Sequence, residues 1–218
     1  MRTFAFWQTT VGKKVVMAVT GVIMILFLIA HLAGNLLVFA GAAQIDGYAA
    51  FLQRELALLW IVRIILIASV VLHVAAAYQL AIASRGARRV RYAELEPQSA
   101  TIASRTMRVG GVAIAAFIVF HLMHLTTGTI RPAPFSSAHV YANLVGSFGV
   151  WWVVAIYVVA LVAIGLHLYH GAWGWTRTLG LSRPKPDPLY RPIATIVSVV
   201  LWAGFTAIPI AIVTGLVG

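Results

Sequence analysis

Phe27-Leu28-Ile29-Ala30-His31-Leu32 recurs in pattern ninety positions later as Phe117-Ile118-Val119-Phe120-His121-Leu122, with Phe, His and Leu in the same places and apolar residues between. Each copy sets a histidine inside a run too apolar for water. The next apolar run in each half again carries a Leu-His pair, Leu72-His73 and then Leu166-His167. Four histidines placed in hydrocarbon by a repeat need a physical reason, and the rest of the chain narrows what that reason is.

Of 218 residues, 61% are hydrophobic and 10% charged, with mean hydropathy +0.95. A soluble domain carries about 25% charged residues, so this chain lies outside that class. Apolar runs cover roughly 15–39, 57–83, 109–125, 150–173 and 193–217. About 20 apolar residues in a helix cross the ~30 Å of bilayer hydrocarbon. The expected fold is an all-α integral membrane protein of five transmembrane helices, forming a single membrane domain over 1–218. Between the runs lie a short polar stretch 41–54, a basic stretch 84–108, a loop 126–148 and a proline-rich segment 183–192. The prolines at 184, 186, 188 and 192 keep that last segment extended. The first apolar run is longer than a signal-peptide core and has no small-residue cleavage site after it, so no cleaved leader is expected.

The net charge of +11 points toward nucleic acid only until its distribution is read. Arg2, Lys13 and Lys14 precede the first run. Arg85, Arg88, Arg89, Arg91, Arg105 and Arg108 lie between the second and third, and Arg177, Arg183, Lys185 and Arg191 between the fourth and fifth. Thirteen of the 16 basic residues thus fall on one side of a five-span topology. The positive-inside rule then puts the N-terminus in the cytoplasm and the C-terminus outside. Trp60, Trp151 and Trp152 fit an aromatic belt at the outer interface. The chain has no cysteine, which excludes disulfides, thiolate metal ligands, cysteine-bound iron–sulfur clusters and covalent haem attachment.

Counting from the cationic edges at ~1.5 Å per residue puts His31 at ~25 Å, His121 at ~20 Å, His73 at ~18 Å and His167 at ~15 Å. This sorts an outer pair, His31 and His121, from an inner pair, His73 and His167. The repeat gives the same pairs, because two hairpins in one orientation are related by an axis along the membrane normal. Opposed histidines on neighbouring helices suit bis-histidine ligation of haem iron, one porphyrin per pair. Gly21, Gly34, Gly110, Gly111, Gly165, Gly171 and Gly174 offer room for a flat macrocycle. Two other readings stand beside it: a hydrogen-bonded or proton-relaying histidine in a membrane helix, and a zinc or copper site built almost wholly from histidine.

His124 follows His121 by three, and His170 follows His167 by three, so each shares a face with its neighbour. Either is an alternative ligand or a contact to a propionate, a carbonyl or a quinone. The repeat favours His121 and His167, since neither His31 nor His73 is followed by a second histidine. His139 belongs to the outer loop and is expected in solvent.

At this point the chain resembles the cytochrome b membrane anchor of succinate:quinone oxidoreductases and fumarate reductases, in its single-polypeptide, five-helix, dihaem bacterial form. The residues that carry the resemblance are Lys14-x-x-Met17-Ala18-x-Thr20-Gly21, His31-Leu32-x-Gly34-Asn35-Leu36, Tyr48-x-x-Phe51-Leu52, Phe120-His121-Leu122, and His167-Leu168-Tyr169-His170-Gly171-x-Trp173 running on to Thr178-Leu179-Gly180. The resemblance implies two haem b groups, the distal one on His31 and His121 and the proximal one on His73 and His167. It also implies a flavoprotein and an iron–sulfur subunit on the cytoplasmic face, electron transfer to menaquinone in a bacterial cytoplasmic membrane, and no dicarboxylate chemistry in this chain. A higher oligomer of the complex is compatible with it. The basic stretches 84–108 and 177–191 lie on the side where those partners would dock, or serve topology alone. Some fumarate reductases of this type carry a glutamate two residues before the proximal-haem histidine; here that position is Gly165. Arg177 is placed to meet a propionate. Arg63 is placed to reach the interface, a propionate or a quinone. Asp46 and Glu55 are the acids on the outer side. Two alternatives are the dihaem subunit of another quinone-linked enzyme, such as a formate dehydrogenase or hydrogenase, and a haem-free transporter or scaffold.

Overall fold

The computed structural model describes residues 6–87, 101–181 and 189–218. Arg2, the basic cluster of Arg88, Arg89 and Arg91, and Arg183, Lys185 and the prolines at 184, 186 and 188 lie outside the described residues. Among the described residues the chain is all-α with no strand. The helices are α1 (Thr10–Asn35), α2 (Ala42–Arg54), α3 (Leu56–Gly86), α4 (Ile102–His121), α5 (Val140–Phe148), α6 (Trp151–Thr178) and α7 (Tyr190–Val213). A 3-10 turn, Leu36–Ala40, extends α1, and a π-helical turn, Leu122–Thr126, extends α4. Five of these units are long and apolar enough to cross a membrane: Thr10–Ala40, Leu56–Gly86, Ile102–Thr126, Trp151–Thr178 and Tyr190–Val213. By them the chain is a multi-pass membrane protein.

Several ends differ from the hydropathy reading. α3 runs on to Gly86, and α7 starts at Tyr190, so Pro192, expected in an extended segment, lies in its first turn, where a missing N–H costs nothing. α1 and α4 also begin earlier and α6 ends later, so Lys13, Lys14, Arg85, Arg105, Arg108, Arg177 and Arg191 sit inside helices. Long cationic side chains lay their stems along a helix while the charge stays in water, so hydropathy alone cuts such ends short. Local chemistry sets the starts: the Thr9 hydroxyl accepts Gly12 N–H at 2.9 Å and Thr101 accepts Ser104 N–H at 3.2 Å, satisfying amides that the first turn leaves free. At the far end, α7 stops at Val213 instead of running to 217. Gly215 there takes φ 76° and Leu216 N–H turns back to Ala211 O at 2.8 Å, a glycine-terminated reversal.

The stretches 41–54 and 126–148, expected as polar segment and loop, contain α2 and α5. The two pack together and close the end of the bundle opposite Lys14, Arg85, Arg108 and Arg177. Asp46 of α2 accepts Tyr141 N–H at 2.9 Å, supplying from a distant segment the acceptor that the start of α5 lacks.

Side-by-side packing joins α3 to α1, α1 to α6, and α6 to α4; α7 lies against α6 and α1. The first four long helices therefore run in the order α3, α1, α6, α4, with α1–α4 and α3–α6 as diagonals. Only 6% of the apolar windows of α3 and α4 is buried within the protein, against 33% for α6 and α7, so α6 and α7 are the inner pillars and α3 and α4 face lipid. Small residues permit close crossings, as expected where lipid leaves helices no hydrophobic drive to associate. A Cβ on Gly204 would lie 2.7 Å from Leu32 Cδ2, and one on Gly165 would lie 3.3 Å from Trp202.

Candidate functional site

His31 of α1 faces His121 of α4 with ring centroids 6.0 Å apart, and His73 of α3 faces His167 of α6 at 6.2 Å. Each pair spans one diagonal of the helix arrangement. The level of each ring can be read from its neighbours. Gly21 lies beside His73, a Cβ there being 3.6 Å from Cε1; Gly111 stands in the same relation to His167 at 4.0 Å. Gly21 and Gly111 each precede their own helix's histidine by ten residues, so the two levels are about 15 Å apart along the bundle. Counting from the cationic edges gave a smaller separation, because Arg85 extends further past the inner pair than Lys14 does.

The spacing within each pair can be tested against a shared metal. A metal–imidazole bond of about 2.0–2.1 Å, added to roughly 1.1 Å from nitrogen to ring centre, puts two rings on opposite sides of one ion about 6.2 Å apart. Both pairs have that spacing. Their interplanar angles, 85° and 56°, pose no obstacle, since each ring turns freely about the shared axis. Two side-chain ligands are too few for a tetrahedral zinc or copper site, and among the described residues no group of three or more His, Cys, Asp or Glu side chains is gathered. Two histidines per group are what bis-histidine ligation of haem would ask of this protein, and each facing pair would supply them.

A histidine ligating through Nε2 needs its proton on Nδ1, held there by an acceptor. At His73 this condition is met. Thr20 Oγ1 donates to Val16 O at 2.8 Å, so only its lone pairs remain for His73 Nδ1 at 3.1 Å. At His121, Nδ1 lies 3.1 Å from the Tyr157 hydroxyl. At His167, Nδ1 is buried with no partner. At His31 the Asn35 amide nitrogen is 3.2 Å from Nδ1 and 2.6 Å from the His31 carbonyl. That amide donates, which puts the His31 proton on Nε2; ligation there requires Asn35 to turn its oxygen toward the ring. The acceptor is in place at His73, is offered at His121 by a hydroxyl that can point either way, is missing at His167, and at His31 needs one amide rotation.

Apolar rings enclose the outer pair. Phe27 stacks on His31 at 5.2 Å and Phe117 lies 5.8 Å from His121, each four residues before its histidine, while Phe205 of α7 reaches His31 at 5.7 Å. Beside His167 lies an apolar cavity of about 260 Å³ bordered by Gly110, Val159 and Leu166.

The remaining candidates are placed elsewhere. His124 is buried, 2.9 Å from the Tyr157 hydroxyl and against Phe120 and Phe148; it does not face His31. His170 is half-buried and makes no ring contact among the described residues. Arg177 lies over the Trp173 ring at 4.1 Å and borders, with Lys14, Val11 and Thr178, a cavity of about 350 Å³ at the basic end. Arg63 lies over Trp60 at 5.1 Å, a cation–π contact near the helix end. Asp46 caps α5, and His139 stands 4.0 Å from it, 68% exposed. Trp202 of α7 covers Gly165, the position that carries a glutamate in some fumarate reductases, and a Cβ there would press on the indole at 3.3 Å.

Sequence reasoning passed over Tyr157 and gave Thr20 no role. Thr20 stood in a recognised motif; Tyr157 had only its hydroxyl in an apolar span as a signal. No family model, no curated protein and no solved structure matches this chain.

Proposed function

We propose that this chain is a membrane-embedded dihaem cytochrome b, the quinone-reactive anchor subunit of a succinate:quinone oxidoreductase in a bacterial cytoplasmic membrane. The observation that carries the haem reading is the spacing of two histidine pairs, 6.0 and 6.2 Å between ring centres, at two levels of one bundle. On this reading His31 and His121 hold the iron of the distal haem, and His73 and His167 that of the proximal haem. Bound haem supplies one-electron redox chemistry. The protein's share is to orient the rings through Thr20, Tyr157 and Asn35 and to exclude water with Phe27, Phe117 and Phe205.

The choice of complex rests on the motif resemblance. It adds a flavoprotein and an iron–sulfur subunit docked on the face of Lys14, Arg85, Arg108 and Arg177, with the N-terminus on that side and menaquinone as electron partner. Arg177, held flat on Trp173, is the group available there for a propionate.

A reduced-minus-oxidised optical spectrum of the purified protein tests the haem reading. A b-type α-band with two haems per chain is expected, and its absence ends the proposal. His31→Ala and His121→Ala should remove one and the same haem, and His73→Ala and His167→Ala the other. Co-purification with a flavoprotein that oxidises succinate separates this complex from a formate dehydrogenase or hydrogenase.

A further inference from the structure

Tyr157 touches two histidines of α4 and its π-helical extension at once. Its hydroxyl oxygen is 3.1 Å from His121 Nδ1 and 2.9 Å from His124 Nδ1. His124 is 1% exposed, and its second nitrogen, Nε2, is buried without a partner. Its other neighbours are the rings of Phe120 and Phe148, so an apolar side chain would fill that space without the cost of burying an imidazole. The π-helical turn Leu122–Thr126 carries His124, and such turns are frequent at functional positions. The one polar contact of His124 is with Tyr157.

An acceptor oxygen holds a histidine's Nδ1–H in place only when its own proton is committed elsewhere. For Thr20 that commitment is the Val16 carbonyl. Tyr157 has no such carbonyl, and His124 stands in its place. The three neutral groups share three protons, which can run in either direction. In one chain His124 Nδ1–H donates to Tyr157, Tyr157 O–H donates to His121 Nδ1, and the His121 proton sits on Nε2. In the other, His121 Nδ1–H donates to Tyr157, Tyr157 O–H donates to His124 Nδ1, and the His124 proton sits on its buried Nε2. Only the second leaves a lone pair on His121 Nε2.

We propose that Tyr157 is the positioning residue of the outer haem, and that His124 is the acceptor that commits the Tyr157 proton and so hands His121 Nε2 to iron unprotonated. This rests on the bis-histidine reading and gives His124 a role other than spare ligand. An imidazole that donates from Nδ1 is a more basic ligand, which favours ferric iron and lowers the potential of that haem.

The test is potentiometric titration of both haems in the detergent-purified complex. Tyr157→Phe should raise the potential of the haem that His121→Ala removes by at least a tenfold shift in its reduced-to-oxidised ratio, about 59 mV for one electron. The other haem should stay put. His124→Leu should shift the same haem in the same direction, and His124→Gln, which keeps an acceptor carbonyl, should restore it. Unchanged potentials in Tyr157→Phe, equal movement of both haems, or a His124→Gln protein indistinguishable from His124→Leu would each overturn the proposal. Should Tyr157→Phe not accumulate, the His124→Leu and His124→Gln pair decides alone. A wild-type protein without haem sinks the functional reading itself, which is a different result from two haems that ignore Tyr157.

Discussion

Thr20 and His73 meet across the first hairpin at 3.1 Å in a hydrogen bond whose direction a third atom biases. The nearest acceptor for the Thr20 hydroxyl proton is Val16 O at 2.8 Å, closer than His73 Nδ1 at 3.1 Å, which favours the tautomer in which His73 Nδ1–H donates to Thr20. Thr20→Val keeps the shape and removes the acceptor. Losses of this kind weaken metal binding by about 10–100-fold, so on the proposed haem reading retention at the inner level should fall by that order in a dissociation assay. Thr20→Ser should bind like the wild type.

Gly110 occupies in the second half the place of Thr20 in the first, eleven residues before the histidine of its helix. Its opposite number, His167, has a buried Nδ1 with no partner, and a Cβ at Gly110 would meet nothing within 4 Å. Gly110→Ser should supply the missing acceptor. The expected gain is about 0.5–1.5 kcal/mol from the hydrogen bond and up to about 0.5 kcal/mol from removing a helix glycine. A higher midpoint of thermal unfolding in detergent is the expected reading, joined, on the proposed haem reading, by a lower potential for the inner haem alone.

The crossing of α7 over α1 depends on Gly204. A Cβ there would stand 2.7 Å from Leu32 Cδ2, and overpacking of this kind costs about 1–3 kcal/mol. Gly204→Ala should therefore destabilise, and Leu32→Val should recover part of the loss in the double variant. Gly171→Ala, where a Cβ meets nothing within 4 Å, is the control and should not destabilise. Equal unfolding midpoints for Gly204→Ala and Gly171→Ala would contradict the crossing.

At the opposite end of the bundle Asp46 caps α5 through Tyr141 N–H. Asp46→Ala should cost about 0.5–2 kcal/mol, as other cap removals do, and Asp46→Asn much less. His139 is 4.0 Å from Asp46 and mostly exposed, so His139→Ala should change stability by less than about 1 kcal/mol. Chemical denaturation of the four proteins in one detergent orders them.

The five long helices were legible because about 20 apolar residues have few ways to exist except across a bilayer. The facing of His31 with His121 and of His73 with His167 was legible because a repeat carries depth and face together. The second histidines were ambiguous for a local reason: an α-helix puts His124 on the face of His121, and nothing in the letters announces the π-helical turn or the tyrosine on another helix. α2 and α5 escaped notice because they are short and neither strongly polar nor long enough to span. Trp202 against Gly165 is a contact between distant segments, visible only once α7 is packed on α6.

Each facing pair draws one ring from the first hairpin and one from the second, because both pairs lie on diagonals. Direct packing between the halves runs mainly along α1 and α6, with α7 bracing that edge, and α3 and α4 gain little from it. On the haem reading each cofactor would thus be a staple between the two halves, holding together hairpins whose outer helices touch little else.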